Sequence, residues 1–215
     1  MMSLRRCVAG FILCAASSST LAVSAYDTLG PSNLFDPNNS WAVGTCCSSG
    51  YVGDFVTSDQ FVAVATGQLN SISMAFVSFV DHSFSIQAEL RDGSFGLLPG
   101  PVLASISITI PAGPVLTSAI YTGSFSGPLT ISANSTYWLT VGTNDVTALG
   151  GVDFNVLGAK GAHDYSLTNP PVTWFRAGQS VTQGAFRLDV SPVPEPTSSG
   201  LYLVGLDSLT DLSSV

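Results

Sequence analysis

The chain has 215 residues, enough for one domain with a full core plus end segments. Apolar residues make up 46% and charged residues 9%, so the composition excludes a disordered chain. Only 6 Lys and Arg stand against 14 Asp and Glu, and the scattered Arg91, Lys160, Arg176 and Arg187 exclude the clustered cations that nucleic acid or an anionic membrane surface requires.

The N-terminus has the layout of a secretory signal peptide: Arg5 and Arg6, an apolar run from Val8 to Ala16, and the small-residue cleavage site Val23-Ser24-Ala25. Cys14 does not make it a lipoprotein signal, because the preceding Leu13 is too large for that processing. Cleavage after Ala25 removes two positive charges and no negative ones, leaving 4 basic and 14 acidic residues and a formal charge of −10 in place of −8. It also removes Cys7 and Cys14. The remaining Cys46 and Cys47 are adjacent, which suits neither a disulfide framework nor metal ligation of the C-x-x-C kind. They read as two small loop residues or as an oxidised vicinal pair.

Residues 26–58 are rich in Gly, Ser, Asn and Pro and predict a loop-rich stretch with one or two short strands. From Gln60 the texture changes to that of strands. "FVAVATG" is a short apolar run, and "LNSISMAFVSFV" puts Ile72, Met74, Phe76 and Val80 on one face. "SFSIQAELR" alternates strictly, with Phe84, Ile86, Ala88 and Leu90 inward and Ser83, Ser85, Gln87 and Glu89 outward. "VLASISITI" does the same with Ala104, Ile106, Ile108 and Ile110, "STYWLTVG" with Tyr137, Leu139 and Val141, and "GAFRLDV" with Phe186, Leu188 and Val190. Asp92-Gly93 and Pro99-Gly100-Pro101 supply turn chemistry between strands. With "SAIYTGSF" and "GGVDFNVLG" added, the pattern predicts eight or nine short strands, no helix beyond the leader, and an all-β antiparallel two-sheet sandwich, jelly-roll-like. The expected boundaries are 1–25 for the signal peptide, 26–190 for the sandwich, and 191–215 for a Pro-rich linker and a flexible C-terminal segment.

That last segment opens with "SPVPEPTSSG", an extended, stiff spacer. Val193-Pro194-Glu195-Pro196, a small polar spacer and an apolar run opening at Gly200-Leu201 together resemble the PEP-CTERM sorting signal. The resemblance implies a bacterial protein handled by the secretion machinery, recognised by an exosortase, and associated with the cell surface or an extracellular polysaccharide. The tail departs from its family. Its apolar run ends at Leu206, Asp207 and Asp211 follow, and no closing arginines are present. A span needs about twenty apolar residues and an aspartate at mid-bilayer costs roughly 2.5–3.5 kcal/mol, so no stable transmembrane span is expected. In the body, "LRDGSFGLLPGPVLAS" and "LTISANSTYWLTV" resemble two segments of the choice-of-anchor type R domain, covering about half of the body.

The catalytic inventory is thin, and the expectation is a non-enzymatic protein. His82 and His163 are the two histidines. "AHDYS" sets His163, Asp164 and Ser166 close in sequence, whereas triad members meet from separate elements, and no G-x-S-x-G elbow is present. Glu89 and Glu195 are the only glutamates, and no carboxylate pair is marked for glycoside hydrolysis. No P-loop, dinucleotide fingerprint or H-E-x-x-H motif occurs. No cofactor or metal site is expected. Structural calcium on Asn144, Asp145 and Asp153, or on Asp164 and Asn169, is weighed against ordinary solvated loop residues. Trp41, Tyr165, Trp174 and Phe175 are the candidate glycan contacts, since a ring face stacks on a sugar; for Trp174 the competing role is core or edge packing. Two functions follow: an exported, non-enzymatic protein of the cell envelope or exopolysaccharide matrix, or a carbohydrate-binding module of a secreted protein.

Overall fold

The computed structural model describes residues 22–46 and 53–192, and among these every regular element is a β-strand. Period-two alternation dictates this: each segment that alternates apolar and polar residues can bury one face only as a strand. The first strands are β1 (Val23–Asp27), β2 (Phe35–Cys46), β3 (Gly53–Val62) and β4 (Gly67–Ser78). Then follow β5 (Phe84–Asp92), β6 (Val102–Ile110), β7 (Thr117–Ser124), β8 (Thr130–Ile131) and β9 (Thr136–Gly142). The last are β10 (Leu149–Asn155), β11 (Lys160–Ser166), β12 (Phe175–Thr182) and β13 (Phe186–Ser191).

All pairings are antiparallel. The ladders join into one thirteen-stranded sheet with the order β1-β13-β4-β10-β2-β3-β9-β5-β6; β7 and β8 lie on the other side of β4, and β11 and β12 extend from β3. β3 is the hinge of this arrangement. Its start, Gly53–Phe55, pairs with β2, while Thr57–Val62 pairs with β9 and Val56–Asp59 with β11. The sheet therefore folds on itself around a single core. Val43, Ile72, Met74, Phe76, Val152, Phe186 and Leu188 from one half meet Phe61, Ile86, Leu90, Leu139 and Val141 from the other. The inward sets expected for β5, β9 and β13 are buried as predicted. On β6 only Ile108 and Ile110 are fully buried, and Ile106 packs half-buried against the core. A small second cluster of Leu29, Ala75 and Ala185, with Phe35 and Ile120 against it, forms outside the main core.

The structure differs from the sequence reading at the N-terminal side. Residues 26–58 hold long strands instead of mostly loop; on β3 the inward position Thr57, followed by Asp59, is polar, so no apolar stripe marks the strand. The folded domain also begins before residue 26. Val23 and Ser24 pair with Val190 and Asp189, Ala25 is fully buried, and the Ala25 carbonyl accepts a 2.7 Å hydrogen bond from the Val64 N–H. Val23 and Ala25, which the leader motif assigns to the cleavage site, are thus part of β1. Cys47 and the motif Val193-Pro194-Glu195-Pro196 lie outside the described residues. No helix of the described residues is long and apolar enough to cross a membrane.

Candidate functional site

At the end of the core beyond β9, three strands bring polar and aromatic side chains together. Thr57 and Asp59 lie two apart on β3 and so point to the same face. In the β3–β11 register Asp59 is opposite His163 and Thr57 is opposite Tyr165, which puts all four on that face. Trp41 on β2 reaches across from the other half of the sheet. It stacks on the His163 ring at a centroid distance of 3.7 Å and an interplanar angle of 16°. The Trp41 indole N–H donates to the Thr182 carbonyl at 2.9 Å, which fixes the ring edge. Trp41, Ala42, Phe55, Thr57, His163, Tyr165 and Ala177 line a cleft of about 270 Å³. That is near the lower end of the range for small-molecule sites, roughly 300–1,000 Å³.

Each polar group in this corner has a partner. The His163 Nδ1 lies 2.8 Å from Asp59 Oδ1, and Nε2 lies 3.1 Å from Thr57 Oγ1. The second Asp59 oxygen accepts the Gly184 N–H at 2.9 Å. Gly184 has no room for a side chain: a Cβ there would stand 2.6 Å from Val152 Cγ1 and 3.1 Å from that same carboxylate oxygen. The Asp59 contact thus depends on a glycine that the chain can bring close. His163 is 1% exposed and Asp59 4% exposed, so the pair is closed to solvent except through the cleft.

The other face of the same strands carries a second polar layer. Arg176, itself part-exposed, forms an ion pair with the buried Asp164 and lies over the Trp138 ring at 5.7 Å. Burial pushes the Asp164 carboxyl up, opposed by the hydrogen bonds and charge of Arg176. The Trp138 indole N–H and the Arg176 Nη1 are buried there without a partner. Arg91 pairs with Glu89 at 2.6 Å and lies over the Trp174 ring at 5.8 Å.

The four aromatic candidates are therefore divided. Trp41 and Tyr165 line the cleft. Phe175 lies opposite Tyr165 in the β11–β12 register and stacks beside it at 5.5 Å. Trp174 packs against Arg91, away from the cleft lining. His163, Asp164 and Ser166 do not assemble. Asp164 faces Arg176, and the Ser166 hydroxyl donates to the Thr168 carbonyl at 3.2 Å. His82 is exposed and bonded to the Thr147 hydroxyl at 3.1 Å. Of the oxygen ligands considered for calcium, Asp145 is held by Thr147, which lowers its carboxyl, and Asn144 accepts from Asn169 at 2.9 Å. Asp153 is buried apart from them, and among the described residues no cluster of three His, Cys, Asp or Glu could hold a metal ion.

Sequence reasoning missed Phe55, Thr57 and Asp59. The signal was present as the period-two series Phe55, Thr57, Asp59, Phe61, which reads as a strand once polar residues are admitted to the inward face. No protein-family model and no curated protein sequence matches the chain.

Proposed function

We propose that the chain is an exported, polysaccharide-associated protein of the cell envelope whose folded domain holds a glycan in the cleft between Trp41 and Tyr165. One observation carries this reading. Two aromatic residues far apart in sequence meet at one small cleft, with Phe175 stacked beside Tyr165 and the polar residues Thr57 and His163 in the lining. A sugar ring presents apolar C–H faces to such rings and hydroxyls to a few polar groups. The leader and the Pro194-Glu195-Pro196 motif add the compartment in which such a ligand is met.

A glycan array followed by calorimetry tests the proposal. The expected result is saturable binding that Trp41→Ala and Tyr165→Ala each weaken by roughly tenfold or more, given that truncating an aromatic anchor costs about 2 kcal/mol or more. Trp174→Ala, on the Arg91 side, leaves it within about twofold. Absence of binding, or equal losses for all three variants, overturns the reading.

A further inference from the structure

We infer that Thr57 is a nucleophile that accepts an acyl group, with His163 as its base and Asp59 as the residue that orients that base. The inference goes beyond binding and does not rest on a glycan being the ligand of the cleft. A carboxylate only accepts hydrogen bonds, so the 2.8 Å contact to Asp59 keeps a proton on His163 Nδ1. In the neutral ring this leaves the lone pair on Nε2, and that nitrogen lies 3.1 Å from Thr57 Oγ1. Hydroxyl, imidazole and carboxylate thus stand in the order that nucleophilic catalysis requires, from strands more than a hundred residues apart. The supports are built in. Gly184 fixes the far oxygen of Asp59, and the Trp41 ring covers one face of the imidazole.

A buried histidine could have both nitrogens satisfied for stability alone. Two features point further. The hydroxyl end of the series, Thr57, lines the cleft together with His163. Thr57 and Asp59 also occupy inward positions whose partners on the neighbouring strand β9 are the apolar Val141 and Leu139, so the fold does not need polar residues there. Thr57 is only 3% exposed, which restricts the substrate to a small acyl ester.

The step balances as follows. Thr57 Oγ1 attacks the ester carbonyl carbon and gives its proton to His163 Nε2. The bond from that carbon to the leaving alkoxide or phenoxide breaks with its electron pair, and the leaving group takes the proton. Water then attacks the acyl-threonine by the same route, releasing the acid and restoring the hydroxyl. Thr57 sits in a strand paired on both sides, which commits its N–H to the ladder and leaves no strand amide as an oxyanion donor. That lack slows acylation and deacylation alike; an acyl-threonine is an alkyl ester, far less reactive than an activated phenyl ester, so with such a substrate deacylation is the slower step and the covalent adduct is the readout.

The probe is p-nitrophenyl acetate, with the adduct located by peptide mass. Lys160 is the only lysine of the chain, which keeps competing acylation low. The expected result is one acetyl group on Thr57, with the labelling rate lowered roughly a hundredfold in His163→Gln and at least about tenfold in Asp59→Asn, at unchanged circular dichroism. Thr57→Ser, which keeps the hydroxyl and relieves crowding, labels at position 57 at least as fast as the parent. No acetyl group on Thr57 in the folded protein, or labelling there that does not depend on His163, overturns the inference.

Discussion

The strands β5 and β9 and the corner formed by β3 and β11 belong to the same half of the sheet and are built on opposite terms. In β5 the inward residues Phe84, Ile86, Ala88 and Leu90 are all apolar and nearly inaccessible. In the corner the inward residues Thr57, Asp59 and His163 are just as inaccessible and entirely polar. The first set is held by area removed from water, which is indifferent to direction. The second is held by hydrogen bonds at fixed distances, where each group depends on a particular partner. The difference shows that burial alone does not identify a core position in this fold. What separates a packing residue from a site residue is whether its partner is a surface or an atom.

The largest expected effect comes from putting a charge into the first region. Ile86→Asp buries a carboxylate with no partner at a fully inaccessible position and is expected to cost more than about 4 kcal/mol, read by denaturant titration or as failure to recover folded protein. A loss under about 1 kcal/mol would mean that β5 tolerates polar residues as the corner does.

A middle-sized effect concerns a carboxylate that is buried without being partnered. Asp153 is fully inaccessible and neither of its oxygens has a hydrogen-bond partner, in contrast to Asp59 with its two. Burial pushes its carboxyl up to about 7; the Ser118 hydroxyl, close but unbonded, opposes this, and Asp36 adds to it. The folded value lies above the unfolded one near 4, so between these two values the folded state holds the extra proton. The contribution of Asp153 to stability is therefore fully present below about pH 4, falls as pH rises toward 7, and is level above that. Asp153→Asn should remove this downward slope and raise the melting temperature at pH 8 relative to the parent. Parallel melting curves for the two proteins across pH 4–8 would show that the carboxyl titrates normally.

The smallest effect is expected on the solvent side of β5. Glu89→Gln removes a part-exposed ion pair with Arg91 and should change stability by less than about 1 kcal/mol in the same titration used for Ile86→Asp.

The legibility of the sequence follows the same division. β5, β9 and β13 could be read directly because their inward residues are apolar and, Trp138 aside, alternate with polar or charged residues. β2, β3, β11 and β12 could not. "FVTSDQF" and "AHDYS" place polar side chains on the inward face, and "NNSWAVG" and "FRAGQSV" have small or flexible residues where a stripe would show. Trp41 and Tyr165 were recognisable as aromatic candidates by residue type, whereas their meeting depends on β2 and β11 both pairing with β3, which no local pattern reveals. The relay through His163 was hidden for a simpler reason: its partners lie 104 and 106 residues upstream, while the residues beside it in sequence, Asp164 and Ser166, point to other partners.

On the proposed export reading, the position of Ala25 ties cleavage of the leader to folding. In β1 its carbonyl is bonded to Val64 and its side chain is sealed in the core, whereas a peptidase must grip the same residues as an extended, accessible segment. Val23-Ser24-Ala25 can satisfy one of these demands at a time, so the order of events decides the product. A chain cut after Ala25 before it folds leaves the Val190 end of β13 as an unpaired edge, open to a strand from another molecule. A chain that closes β1 first protects the bond and keeps its own edge covered. If the chain is exported as proposed, the N-terminal residue of the mature protein records which process was faster.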